Sequence, residues 1–85
     1  MTIYRSRTFL KQYLKLPEKI QKKVKQVLKL IAENPQYPGL GIKKMVNHQK
    51  VWEARIDIHY RMTFEIGDNI LTLRKIGTHQ IYRNP

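Results

Sequence analysis

Between Val51 and Ile66 the sequence alternates with a period of two, and no other stretch restricts the fold as tightly. Trp52, Ala54, Ile56, Tyr60, Met62, Phe64 and Ile66 share one parity; Glu53, Arg55, Asp57, His59, Arg61, Thr63 and Glu65 share the other. Successive side chains of a strand point to opposite faces, so this pattern predicts a half-buried β-hairpin. Strands are expected at about 51–57 and 60–66. "GDN" (67–69) reads as a tight turn, with Gly67 and Asn69 able to take positive φ, and "ILTLRKI" (70–76) as the last strand. "KKMV" before the hairpin suggests a short strand and "NHQK" a turn. Gly77 ends the sheet, and "THQIYRNP" reads as a short tail.

The first half follows another period. "TIYRS" is a β-prone start, and in "SRTFLKQYLKL" Phe9, Leu10, Tyr13 and Leu14 recur at helical spacing behind a possible cap at Ser6 or Thr8. Pro17 closes that helix and suits the first turn of the next. Over 17–35, Ile20, Val24, Val27, Leu28 and Ile31 form one apolar stripe, with Lys19, Lys22, Lys23, Lys25 and Lys29 mostly off it. Glu18 suits the positive N-terminal end of that helix, and Asn34-Pro35 stops it. "QYPGLGI" (36–42) reads as a Pro/Gly loop. An antiparallel helical hairpin followed by an antiparallel sheet is an α+β architecture. A chain of 85 residues makes it one domain, 1–85.

Composition narrows the function classes. With no cysteine there is no disulfide framework, thiolate metal site or thiol nucleophile. His48, His59 and His79 lack metal-ligand spacing, so no metal or other cofactor is expected. No apolar run approaches the ~20 residues of a membrane span, and "MTIYRSRTFLKQ" has no leader-like apolar region, so a cytoplasmic protein with no membrane partner is expected. The net charge is +11, above the ~2–8 usual for a small domain. It is uneven: residues 1–50 hold 12 Lys and Arg against 2 acids, residues 51–85 hold 5 against 4. Such a field attracts polyanions, although lysines on a helix face can equally be plain solvated surface. Lys19, Lys22, Lys23, Lys25, Lys43, Lys44 and Arg74 are the candidate RNA contacts.

If the helices cover one sheet face, the other presents Glu53, Arg55, Arg61 and Thr63 as the floor of a binding site. The same charges also fit an ordinary wet sheet face held by cross-strand Glu–Arg pairs. The basic helical hairpin, the pair "VWEARI…YRMTFEI" and the closing "LRKIGTHQIYR" together resemble the RelE/ParE toxin superfamily, and within it the RelE-like mRNA interferases. The resemblance spans the chain in element order, size and charge. "YRMTFEI" is similar to the family's Tyr-Arg strand, and "IGTH" to its segment after the last strand.

The resemblance implies a RelE-like fold and a type II toxin: a ribosome-dependent endoribonuclease that cuts mRNA in the A site, is neutralised by a cognate antitoxin, and meets operator DNA only through the antitoxin complex. By position, Arg61 would be the transition-state arginine, His79 the group near the leaving oxygen, Glu53 and Arg55 the outward strand positions, and Tyr82 the C-terminal aromatic that positions or stacks a base. Glu53 stands where relatives carry lysine, which leaves it as a base, a partner for an arginine, or neither. The chemistry fits these residue types: 2′-OH attack on the phosphate needs a base, a cation and an acid, and no metal. Glu53 or His59 would take the proton, arginine would hold the phosphate, and histidine would protonate the 5′-oxygen. Two rivals remain: a non-enzymatic ParE-like member acting on a protein such as DNA gyrase, and a degenerate toxin acting only in an antitoxin–operator complex.

Overall fold

The computed structural model describes residues 1–36 and 39–85, and of Gln49 the main chain only. In chain order the elements are β1 (Thr2–Arg5), α1 (Arg7–Leu14), α2 (Glu18–Glu33), β2 (Lys43–Met45), β3 (His48–Arg55), β4 (Arg61–Gly67), β5 (Ile70–Gly77) and a 3-10 helix over His79–Arg83. The middle of the Pro/Gly loop expected at 36–42 lies outside the described residues.

Local chemistry explains most boundaries. The Ser6 hydroxyl caps α1 by accepting from the Phe9 N–H at 3.0 Å. Pro17 caps α2 without a side-chain bond, and Glu18 occupies its first turn. The helices form the expected hairpin: Gln21 donates its amide to the Tyr13 carbonyl at 2.9 Å, and Phe9 and Tyr13 share a cleft with Lys25 and Leu28. The β4–β5 turn differs from expectation in one detail. Gly67 closes β4, while Asp68 (φ 53°) and Asn69 (φ 60°) supply the left-handed pair. Both types tolerate that region, and a two-residue hairpin turn with two positive φ values matches the strand twist. His48 and Lys50, expected in a turn, belong to β3; Val46 and Asn47 make the turn.

The sheet order is β1-β5-β4-β3-β2. β1 runs parallel to β5 and every other pair is antiparallel, so the sheet is mixed where the sequence suggested an antiparallel one. The helical hairpin makes the crossover from the β1 edge and lies on one face. There the apolar parity of the hairpin is buried as expected: Ala54, Met62 and Phe64 are 0% exposed and pack with Phe9, Val24, Ile31, Leu71 and Leu73. Trp52 and Tyr60 are half-buried against this cluster, and Ile66 emerges at the sheet end.

A bulge breaks the register between β4 and β5. Thr63 faces Lys75 and Phe64 faces Leu73, which leaves Arg74 as the extra residue. A bulge resets side-chain parity. Lys75 therefore stays with Arg74 on the face away from the helices, while Ile76 is 1% exposed in the main core.

Candidate active site

The face away from the helices is not open. Glu53 is 5% exposed and Thr63 0%, and Val51, Ile81 and Pro85 are buried outside the main cluster. The tail covers this face. A Cβ placed on Gly77 would lie 3.1 Å from the Ile81 side chain, so the tail turns tightly over the end of β5. At its far end the Pro85 main-chain oxygen accepts from the Thr63 hydroxyl at 3.2 Å and from Arg74 Nε at 3.0 Å. The same guanidinium donates from Nη1 to Glu65 Oε2 at 2.6 Å. Arg74, expected as an RNA contact, instead pins the tail, because the bulge turns it onto the segment that covers its face.

The tail carries Tyr82 to the centre of the predicted site. Burial pushes the Tyr82 phenol above its ordinary pKa, the Glu53 carboxylate pushes it further by charge and hydrogen bonding, and Arg61 opposes both. Glu53, Arg61 and Tyr82 are thus neighbours. Glu53 is also paired with Lys43, Nζ to Oε1 at 3.4 Å, across the β2–β3 register. It was expected on an outward position of an open face; the structure buries it between a cation and a phenol. Tyr82, Glu53, Lys43, Lys44 and His48 border a cleft of about 430 Å³. His48 is the residue here that strand parity alone did not single out, since its place depends on where the β2–β3 turn falls.

Arg55 and Arg61 are direct cross-strand partners. Two like charges face to face destabilise a sheet unless an anion or other acceptor compensates. Arg61 is half-buried, and Nη1 donates to the Asp57 carbonyl and, at 3.0 Å, to the Tyr60 carbonyl. The loop that receives it is braced in turn: Asp57 Oδ1 accepts from the N–H groups of His59 and Tyr60, each at 2.8 Å. Burial raises the Asp57 pKa, but these two bonds and the charges of Lys23 and His59 outweigh it and hold the carboxyl below its ordinary value. Arg55 is exposed, with its side chain beside Gly41.

The remaining predicted residues are spread out. His79 is exposed at the start of the 3-10 helix, two residues beyond Gly77, the register partner of Arg61. His59 lies exposed in the β3–β4 loop. Lys19, Lys22 and Lys25 are exposed on α2, Lys22 within 3.7 Å of Glu18. Lys23 is half-buried near Asp57, and Lys44 stacks its ammonium 5.3 Å from the Trp52 ring centre. Among the described residues, no three His, Cys, Asp or Glu side chains converge to hold a metal ion. No described helix is long and apolar enough to cross a membrane.

A strand-borne arginine pair, a tail tyrosine drawn onto the sheet and a helical hairpin over the opposite face together form a recognisable frame. Residues 18–84 match the ParE-like toxin domain. The chain belongs to the ParE-like toxin family. Solved toxins share its fold. The YoeB dimer from Staphylococcus aureus superposes with a TM-score of 0.79 at 24% identity, over 93% of this chain and 97% of that one. The RelB–RelE antitoxin–toxin complex from Methanococcus jannaschii gives 0.77 at 21%, over 96% and 99%. The YoeB/ParE toxin from Agrobacterium tumefaciens gives 0.80 at 13%, over 93% and 99%. Comparison with curated protein sequences gives no match. The α+β fold of this ParE-like toxin is therefore the RelE-like one.

Proposed function

We propose that this toxin is a ribosome-dependent mRNA endoribonuclease of a type II toxin–antitoxin pair, acting in the cytoplasm and inhibiting translation. The observation that carries the reading is that the tail brings Tyr82 to the same cleft as Glu53, on the sheet face that holds the facing Arg55–Arg61 pair. Arg61 holds the scissile phosphate and stabilises the charge that develops on it. Its anchoring to two loop carbonyls aims the guanidinium before substrate arrives. Arg55 holds the neighbouring backbone. His79 protonates the 5′-oxygen as it leaves. Tyr82, kept a neutral phenol, positions the base next to the attacking 2′-OH. Glu53, already partnered by Lys43, serves better to orient Tyr82 than to take a proton; His59 is then the other group for that step. No step requires a metal. The basic face of α2 with Lys43 and Lys44 contacts ribosomal RNA. The partner expected is a cognate antitoxin, and the charge of +11 calls for an acidic one; solved relatives include the RelB–RelE antitoxin–toxin complex and the YoeB–YefM toxin–antitoxin complex from Staphylococcus aureus.

The match to a ParE-like domain favours one second reading, a toxin that binds a protein target such as DNA gyrase without cutting RNA. Induced expression with primer-extension mapping of mRNA ends separates the two. The first reading expects new 5′ ends within codons, lost in Arg61→Ala. Growth arrest with intact mRNA, unaffected by Arg61→Ala, establishes the second.

A further inference from the structure

The tail separates two clefts, and the second takes no part in the scheme above. It has a volume of about 390 Å³ and lies where the end of α1 meets β5 and the tail; Gln12, Lys15, Lys75, Gln80, Arg83 and Asn84 are among its walls. That size falls within the ~300–1,000 Å³ of ordinary ligand sites. Three cations border it and no carboxylate does. Among the described residues, none of the three has an acidic partner: the ion pairs join Glu18, Glu53 and Glu65 to other cations.

The main chain that carries these walls is held in place before any ligand arrives. Gln12 accepts from the Ile76 N–H at 2.9 Å. The 3-10 helix is closed by Ile81 N–H to the Thr78 carbonyl at 3.1 Å and followed by Asn84 N–H to the Ile81 carbonyl at 3.2 Å. Beneath it Ile81 is 7% exposed, and Pro85 is fixed by Thr63 and Arg74. Consecutive residues of a 3-10 helix point about 120° apart. Tyr82 accordingly borders the cleft with Glu53, while Arg83 borders this one. Lys75 faces Thr63, which faces Glu53 across the next strand pair, so one row of the sheet runs between the two clefts.

We infer that the cleft bounded by Lys15, Lys75 and Arg83 is a second phosphate subsite, which takes a phosphodiester of the same single-stranded RNA next to the cleavage point. The inference rests on the endoribonuclease reading for the identity of the strand, but the anion site stands on its own cations. Cations without acidic partners, gathered at one cleft, repel one another until an anion enters. A polyanion crossing the tail meets them immediately beyond Tyr82.

Two measurements test this. Titration of the intact chain with inorganic phosphate, followed by NMR, should shift the side-chain signals of Lys15, Lys75 and Arg83 together with the amides of Gly77 to Asn84. Shifts confined to Arg55 and Arg61, or none, would overturn the subsite. Binding of a fully 2′-O-methylated, uncleavable RNA oligonucleotide is then followed across a salt series. For Lys75→Ala/Arg83→Ala the slope of log K against log salt should shrink by about 1.4, at ~0.7 per lost contact with a single strand. Lys75→Arg/Arg83→Lys should restore it. An unchanged slope in the alanine variant refutes the proposal, and does so equally if that variant instead loses binding to an acidic peptide. A toxin that cuts no RNA yet passes the phosphate titration leaves the subsite standing and removes the enzymatic reading. A toxin that cuts normally with an unchanged slope does the reverse.

Discussion

The two faces of the sheet are built on different principles. The helix side is a continuous apolar layer in which Phe9, Val24, Ile31, Met62, Phe64, Leu71 and Leu73 are at most 1% exposed. The other side is closed by a short tail that brings only Ile81 and Pro85 to join Val51, and is otherwise held by hydrogen bonds among Thr63, Arg74, Glu65 and the Pro85 oxygen. Apolar burial is non-directional and adds with area, so the first face supplies stability. Hydrogen bonds contribute less net stability but fix direction, so the second face aims side chains. The contrast teaches that stability and chemistry can be damaged separately here.

The largest effect should come from the first face. Phe64→Ala, at 0% exposure in the centre of β4, should cost about 3–5 kcal/mol. In a chain of 85 residues, within the usual ~5–15 kcal/mol of total stability, this lowers the melting temperature severely and removes all activity with it. A variant that melts like the parent would show that the helix-side layer is not the main core.

Arg61→Ala should separate the two properties. Its catalytic loss should be on the order of 10²–10³-fold, as for one donor to a developing anion. Its stability loss should be about 1 kcal/mol, since two carbonyl bonds are lost at a half-buried site. Melting and single-turnover RNA cleavage, measured side by side, check this. Cleavage that falls only as far as the folded fraction would make Arg61 a loop brace alone.

Arg74→Ala tests whether the tail must be pinned. The side chain is about one-third exposed (36%), which limits the stability loss to about 1 kcal/mol. Freed from Arg74, the tail should be cut faster by proteases, and the Tyr82 phenol should move back toward its ordinary pKa, read by ultraviolet absorbance titration. An unmoved Tyr82 titration would show that Ile81 and Thr63 suffice.

The smallest effect concerns the loop that receives Arg61. The Asp57 carboxyl lies below its ordinary value of 3.8 in the folded chain. A depressed carboxylate contributes stability that is present above the unfolded value and is lost as pH falls through the folded one. Between about pH 4 and pH 2, Asp57→Asn should therefore show a slightly shallower fall in melting temperature than the parent. Parallel curves would remove Asp57 from the account.

Much of this was legible beforehand. The stripe Ile20–Val24–Val27–Leu28–Ile31 and the parity of Ala54, Ile56, Met62 and Phe64 appear in the structure as the sequence implied, and of the two possible caps, Ser6 and Thr8, it is Ser6 that closes α1. These are local rules: a helix or strand must turn its apolar side inward whatever it packs against. Of the residues expected at the site, Glu53, Arg61 and Tyr82 come together. What they form was not readable. Parity placed Glu53 on an open surface, yet its exposure depends on a tail almost thirty residues away in the chain. Arg74 read as one more free cation, because "LTLRKI" shows only a lapse in alternation between Leu73 and Ile76. The tertiary structure turned that lapse into a bulge, aimed Arg74 at Glu65 and Pro85, and left Lys75 facing Thr63. Sequence periodicity reports which side of an element faces the core, since burial acts on each residue singly. Which distant segment closes the other side, and so which charges are paired and which stay free, depends on non-local contacts that leave no periodic trace.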